Sequence, residues 1–213
     1  MAFLPESSRN LNVACAPGRY TASRTTRFRP TRGEPVLIRP ARSEDIDALL
    51  GVERVAFDGG EEADLVAALL VDPSAGPIIN LVAEKNGVIV GHAIFTHAVV
   101  ESADGDVDAT ILAPLAVAPP AQGTGIGQAL CREGLIVAEE LGIGLVFVLG
   151  HIGYYPKVGF EPAARHGLLA PYPIDPAVAD AWMVFATRQG IIGQVRGVIR
   201  CADAMMHPEM WAE

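Results

Sequence analysis

The stretch from Leu115 to Gln128 reads Leu-Ala-Val-Ala-Pro-Pro-Ala-Gln-Gly-Thr-Gly-Ile-Gly-Gln, an apolar strand that breaks at two prolines and enters a helix through a glycine-rich turn. Glycines at alternate positions (Gly123, Gly125, Gly127) admit backbone conformations closed to other residues, so successive N–H groups can point into one small volume. The helix that follows adds its unpaired first N–H groups and the positive end of its dipole. Such a site suits a pyrophosphate. The same pattern also serves as an ordinary turn, so the rest of the chain must separate the two readings. Two other phosphate loops do not fit: the dinucleotide fingerprint needs glycine where Gln128 stands, and the Gly-Lys-Ser/Thr of the ATP-type loop is absent.

Around this stretch the hydrophobic pattern predicts one sequence of elements. Val36–Arg39 is a short strand, followed by Ser43 as N-cap and a helix carrying Ile46, Leu49, Leu50 and Val52. A second helix runs from about Glu61 to Val71. Ile78–Glu84 and Val88–His97 are apolar, β-rich runs joined at Asn86-Gly87, a strong hairpin signal. A strand follows over 107–117, then a helix over 126–141 with Ile126, Ala129, Leu130, Val137, Ala138 and Leu141 on one stripe. Leu145–Leu149 is almost wholly apolar, as a buried strand is, and the crossover helix before it makes it parallel to 107–117. A short helix around Tyr154–Val158, a strand near Trp182–Thr187 and an extended segment through Val195–Ile199 complete the reading.

The chain of 213 residues is half apolar, enough for one sizeable core. No apolar run reaches the roughly 18 residues of a membrane span. Six arginines against Glu6 and Glu34 give residues 1–35 a net +4, which leaves −13 of the overall −9 on the remainder. An acidic body argues against nucleic-acid binding and is compatible with a cationic amine substrate. Cys15, Cys131 and Cys201 show no paired spacing, and the five histidines lack the i, i+4 pairing of a helical metal motif, so neither a disulfide framework nor a metal site is expected. His92 and His97, five apart, fall on opposite faces of one strand.

Leu115-Ala116-Val117, then Gln122-x-x-Gly125-x-Gly127 opening a helix, then a buried strand, then Tyr155-x-x-x-Gly159-Phe160 resembles the GCN5-related N-acetyltransferase (GNAT) superfamily. Gly91-His92, Pro114 to Val117 and Tyr154 to Phe160 are similar to its YhbS-like branch. The resemblance covers about residues 36–190. It implies an α/β fold of the α+β type, with a mixed, mostly antiparallel sheet whose two central parallel strands splay, flanked by helices. It also implies acetyl-CoA as co-substrate. The pyrophosphate would lie on the N–H groups of Gln122, Gly123, Thr124, Gly125, Ile126, Gly127 and Gln128, and the pantetheine arm would pair with the backbone of Leu115, Ala116 and Val117. The buried arm's amides need partners, which a strand edge supplies. Pro114 fits a bulge there, since it cannot donate to the ladder.

The chemistry so implied is attack of a neutral amine on the thioester. The Leu115 N–H is the candidate oxyanion donor. Tyr155 holds the family's general-acid position; a thiolate near ~8.5 and a tyrosine near ~10 are well matched for proton transfer. A core tyrosine is the plain alternative for Tyr155, and Tyr154 reads as packing or substrate wall. An alkylammonium near ~10 is only about a thousandth neutral at pH 7, so a base or water relay is expected. Asp108 is one candidate, beside the position where some family members carry a glutamate; Glu53, His92 and His97 are others. Gly150-His151 stands where many members place an asparagine.

The expected activity is therefore N-acetyl transfer from acetyl-CoA to a primary amine of a small molecule or a protein. The competing reading is an acyl-CoA-binding or regulatory module with a degenerate acceptor site. Expected partners are the amine acceptor and a second copy in a homodimer, with no nucleic acid and no membrane; a cytoplasmic location is the default. Residues 1–35 read as a disordered or loosely packed extension, a transit peptide or a mis-called start. Residues 36–190 form the catalytic domain, and 191–213 a tail packed on it.

Overall fold

The sheet is assembled on a hairpin whose turn, Asn86-Gly87, holds both residues at positive φ. A computed structural model describes residues 24–30, 33–57 and 59–211. Its elements are β1 (Thr26–Phe28), β2 (Val36–Pro40), α1 (Ile46–Ala56), α2 (Glu61–Leu69), β3 (Ile79–Lys85), β4 (Val88–Glu101), β5 (Val107–Val117), α3 (Ile126–Glu140), β6 (Leu145–Leu149), β7 (Glu161–Pro162), β8 (Leu168–Leu169), β9 (Trp182–Ala186) and β10 (Gly197–Cys201). Among the described residues the strands lie in one sheet, ordered β1-β2-β3-β4-β5-β6-β9-β7. The second half of β4 outruns β3 and takes β10 instead, with Cys201 opposite Ala98 and Val198 opposite Glu101. Thus the tail supplies a strand, Gly197–Cys201, which overlaps the extended segment Val195–Ile199 read from the sequence and is shifted two residues along it.

The sheet is mixed, with antiparallel pairs around the parallel pair β5–β6, and it carries helices on both faces. On one face α3 packs Ile126, Leu130, Leu135, Val137 and Ala138 against Ile38, Leu81, Phe95 and Val146. On the other, α1 and α2 bring Leu49, Val66 and Leu69 together with Phe147, Trp182, Met205 and Trp211. The entry to α1 is fixed by Arg39, whose guanidinium grips Asp45 with two bonds (2.6 and 3.0 Å) and Glu84 with a third (2.8 Å). That planar fork ties β2, the helix entry and β3 together. Arg39 first of all, and the Arg42 N–H after it, hold the Asp45 carboxyl below its ordinary range against the effect of burial.

Residues 1–23 and 31–32 of the arginine-rich extension lie outside the described residues. In its described part, Thr26–Phe28 pairs antiparallel with β2, Thr26 opposite Ile38 and Phe28 opposite Val36. Arg24 pairs with Glu133 and Glu140 of α3. A three-residue strand carries too little alternation to read from sequence; its reason for forming is the otherwise bare edge of β2.

Helix α3 lies so close to the sheet that a β-carbon on Gly134 would fall 2.1 Å from the ring of Phe95, itself fully buried. Gly134→Ala would gain up to ~1 kcal/mol of helix propensity and lose about 1–3 kcal/mol to overpacking, so the clash decides the sign. In thermal denaturation Gly134→Ala is expected to lower Tm by roughly 2–6 °C, and adding Phe95→Leu to recover part of the loss.

Candidate active site

Strands β5 and β6 pair through only three residues of each, Ala109–Ile111 against Leu145–Phe147. Beyond Ile111 the two strands part. Just there the β4–β5 register slips: Phe95 faces Leu112, but Ala93 faces Leu115, so Ala113 and Pro114 form a bulge. Pro114 has no N–H for the ladder, which makes this the place where the ladder can be interrupted at least cost. The gap opens into a cavity of about 950 Å³ lined on one side by Leu112, Ala113, Pro114, Leu115 and Val117, and on the other by Leu149 and Gly150.

One end of the cavity is the glycine turn. Gly125 caps α3 at φ +91°, a conformation that side-chain-bearing residues rarely take. The Ala129 N–H bonds the Gly125 carbonyl (3.0 Å), so the N–H groups of Ile126, Gly127 and Gln128 precede any intrahelical acceptor. Gln122 Nε2 donates to the Val117 carbonyl (2.9 Å) and Thr124 Oγ1 to the Ala121 carbonyl (2.6 Å), which bind the turn to the strand end and to itself. The ring of Phe28, from β1, would lie 3.2 Å from a β-carbon at Gly125, so the extension touches the turn.

The two tyrosines do different things. Tyr155 opens a 3-10 turn (Tyr155–Val158), and its ring lies against Gly150, where a β-carbon would come within 2.4 Å, and edge-on to Phe160 at 5.6 Å. Tyr154 reaches across to α3: its hydroxyl would be 2.3 Å from a β-carbon on Gly127, with the Leu115 and Val117 side chains alongside at 3.2 and 3.4 Å. Burial is the chief cause that pushes both phenols up, Tyr154 to about 12 and Tyr155 further.

The far end is walled by Phe57, Glu61, Glu62 and Leu65 from the α1–α2 region and by Met210 from the C-terminal segment. Trp211 anchors that segment: it sits edge-on to Trp182 (5.7 Å), which stacks on Phe147 (5.2 Å), and its Nε1 donates to the Met205 carbonyl (2.9 Å). Behind this wall lies a buried polar group. His92 meets Glu53 through Nδ1 and Asn80 Oδ1 through Nε2 (2.9 Å). Glu53 and His92 are 0 % exposed, and burial pushes the Glu53 carboxyl up.

Of the residues singled out from sequence, Leu115, Val117, Gln122, Gly123, Gly125, Ile126, Gly127, Gln128 and Tyr155 all line this one cavity. Ala116 is buried opposite His92, and Thr124 is spent on its own turn. Asp108 lies apart from the cavity lining, 85 % exposed in its side chain and 3.5 Å from His97. Glu53 and His92 bond each other, outside the lining. Phe57, Glu61, Glu62, Leu65 and Met210 were not singled out as site residues from sequence, and His151 only as standing where many family members place an asparagine; the acidic first turn of the second helix was the one signal available for the two glutamates. Among the described residues no group of three or more His, Cys, Asp or Glu could hold a metal ion, and no helix is long and apolar enough to cross a membrane.

A splayed parallel pair beside a glycine turn that opens a helix is the frame of an acyl-CoA-dependent acetyltransferase, and the comparisons with known proteins agree. Residues 44–160 match the model of the acetyltransferase (GNAT) family. The chain is 45 % identical over 166 residues to the uncharacterized N-acetyltransferase YjhQ of Escherichia coli K12, covering 75 % of this chain and 88 % of that one. It is 32 % identical over 161 residues to the uncharacterized N-acetyltransferase YhbS of the same strain, with 75 % and 90 % covered. Among solved structures, E. coli YhbS in complex with CoA superposes with a TM-score of 0.72 (28 % identity, 81 % and 92 % covered). A GNAT acetyltransferase from Brucella melitensis in complex with acetyl-CoA gives 0.63 (25 % identity, 80 % and 97 % covered). The chain belongs to the GNAT family: it is an acetyltransferase.

The close approach of Gly127 to Tyr154 gives a test of the turn. Gly127→Ala meets side-chain ends alone, the Tyr154 hydroxyl at 2.3 Å and Leu115 Cδ2 at 3.2 Å, so the fold should hold with the melting temperature changed by no more than a few degrees. If the turn cradles the acyl donor, the KM for acetyl-CoA in steady-state assays increases about tenfold, near 1.4 kcal/mol; an unchanged KM would return the turn to plain punctuation.

Proposed function

We propose that the protein transfers the acetyl group of acetyl-CoA directly to a primary amine of a small molecule or a protein. One observation carries the reading: the strand gap at Leu112–Leu115, the free N–H groups of Ile126 to Gln128 and the Tyr155 ring all border one cavity. When bound, acetyl-CoA supplies an activated thioester and a thiolate leaving group. The N–H groups of residues 123–128 receive its pyrophosphate, the Gln122 N–H being held by the Pro119 carbonyl (3.2 Å), and the positive end of α3 favours that charge. The backbone of Leu115 to Val117, freed from β6 on that side, pairs with the amides of the arm. The Leu115 N–H faces the charge that develops on the thioester oxygen. Tyr155, whose phenol burial holds above its ordinary value, keeps its proton at neutral pH and gives it to the departing sulfur. The acceptor enters from the side of Phe57, Glu62, Leu65 and Met210, a part of the lining that the donor's contacts leave unassigned.

The test is thiol release from acetyl-CoA against polyamines, amino acids, aminoglycosides and lysine or N-terminal peptides. Turnover is expected with at least one class, and silence across all of them would overturn the reading. Tyr155→Phe should lower kcat by about 10²–10⁴ while the KM for acetyl-CoA holds. Because burial raises the phenol, kcat of the parent protein should show no tyrosine-dependent fall between about pH 8 and about pH 10. A fall there that vanishes in Tyr155→Phe would show the phenol titrating in that range, against the effect of burial, while a kcat unchanged in Tyr155→Phe would remove Tyr155 from the donor role.

A further inference from the structure

The acceptor end of the cavity combines three apolar side chains, Phe57, Leu65 and Met210, with two carboxylates from the first turn of α2, Glu61 and Glu62. Glu61 is exposed. Glu62 is partly buried, and its Oε2 is shut off from solvent without a hydrogen-bond partner. A carboxylate oxygen that has lost its water and gained no donor is a standing cost to the fold, one that is relieved when the Glu62 carboxylate turns toward a cation held in the cavity it lines. A second such oxygen lies close by: Oε2 of the fully buried Glu53 also lacks a partner, and the negative charge of Glu62 acts on Glu53. The other ionisable side chains of the lining, His151, Tyr154, Tyr155 and Lys157, belong to the opposite wall after β6, and no ion pair joins Lys157 to Glu62.

We infer that Glu62 receives the ammonium group of the acceptor and takes its proton, and that the acceptor is a primary amine carried on an apolar body, of the arylalkylamine or alkylamine class. The inference rests on the acetyltransferase reading above. An ammonium nitrogen is no nucleophile until it loses a proton, and at neutral pH only about a thousandth of an alkylamine is free base. Glu62 accepts the first proton and passes it to solvent. The freed nitrogen pair forms the C–N bond at the thioester carbon, the C–S bond breaks, and the second amine proton ends on the thiol by way of Tyr155. Phe57, Leu65 and Met210 cover the apolar body and discriminate against amines whose neighbouring groups are charged or hydroxylated.

The full chain is assayed with acetyl-CoA and either 2-phenylethylamine or hexylamine as acceptor, with ethanolamine and glutamate as polar amines and 2-phenylethanol as a neutral mimic. The thermal shift given by CoA is measured in parallel. The parent protein should acetylate the apolar amines in preference to the polar ones, and 2-phenylethanol should inhibit weakly. Glu62→Gln should keep the CoA shift, lose about a hundredfold or more in kcat/KM for the amine, and show both a higher amine KM and a lower kcat; Glu62→Asp should regain part of the loss. Glu62→Gln within about threefold of the parent, a preference for the polar amines, or 2-phenylethanol binding as well as the amine would each overturn the assignment. So would no turnover of the apolar amines by a protein that binds CoA. Failure of the parent protein to bind CoA would instead overturn the acetyltransferase reading itself.

Discussion

The β5–β6 pairing stops after three residues, and the rest of the site depends on that stop. A parallel pair continued to the ends of both strands would satisfy its own N–H and C=O groups and leave nothing for a ligand to bond. By parting after Ile111 and Phe147, the strands leave ladder groups unpaired and open to a ligand at the centre of a sheet, where both faces are already covered. The bulge at Ala113 and Pro114 releases β5 from strict register with β4 at the same level, so the strand bends away without losing its antiparallel neighbour.

The surroundings hold the gap open. Phe147, the last paired residue of β6, stacks on Trp182, and Trp182 meets Trp211, so an aromatic column stands against the far face of the split. On the near face α3 is pressed to the sheet at Gly134, which brings its first turn level with the strand ends. Packing thus places three unrelated segments, residues 112–117, 125–128 and 149–155, around one volume, and the proposed chemistry draws on groups that each segment could not satisfy internally.

Periodicity and punctuation made most of the elements legible. The Asn86-Gly87 turn, the glycine loop, the stripe of α3 and the apolar run of β6 each have a strong local cause, and their order was enough to place Tyr155 and the turn on a common site. The missing parts are those with non-local causes. Three residues of β1 form because β2 has an open edge, and β10 joins β4 because β3 begins only at Ile79, opposite Phe95. The wall of Phe57, Glu62 and Met210 spans more than 150 positions of sequence and is joined only by packing. Asp108 was chosen by its place along a strand, and the sheet turns it to solvent beside His97. Glu53 and His92, singly plausible as bases, proved to be partners of one another.

The order in which the wall is made has a consequence for biosynthesis. Every group assigned to the acyl donor lies before Phe160, whereas Met210 and the Trp211 anchor come last. A chain leaving the ribosome therefore has all the residues proposed for the donor in hand while the cavity still lacks one wall, and a product truncated near residue 200 would retain those residues without the Met210 wall proposed to face the acceptor.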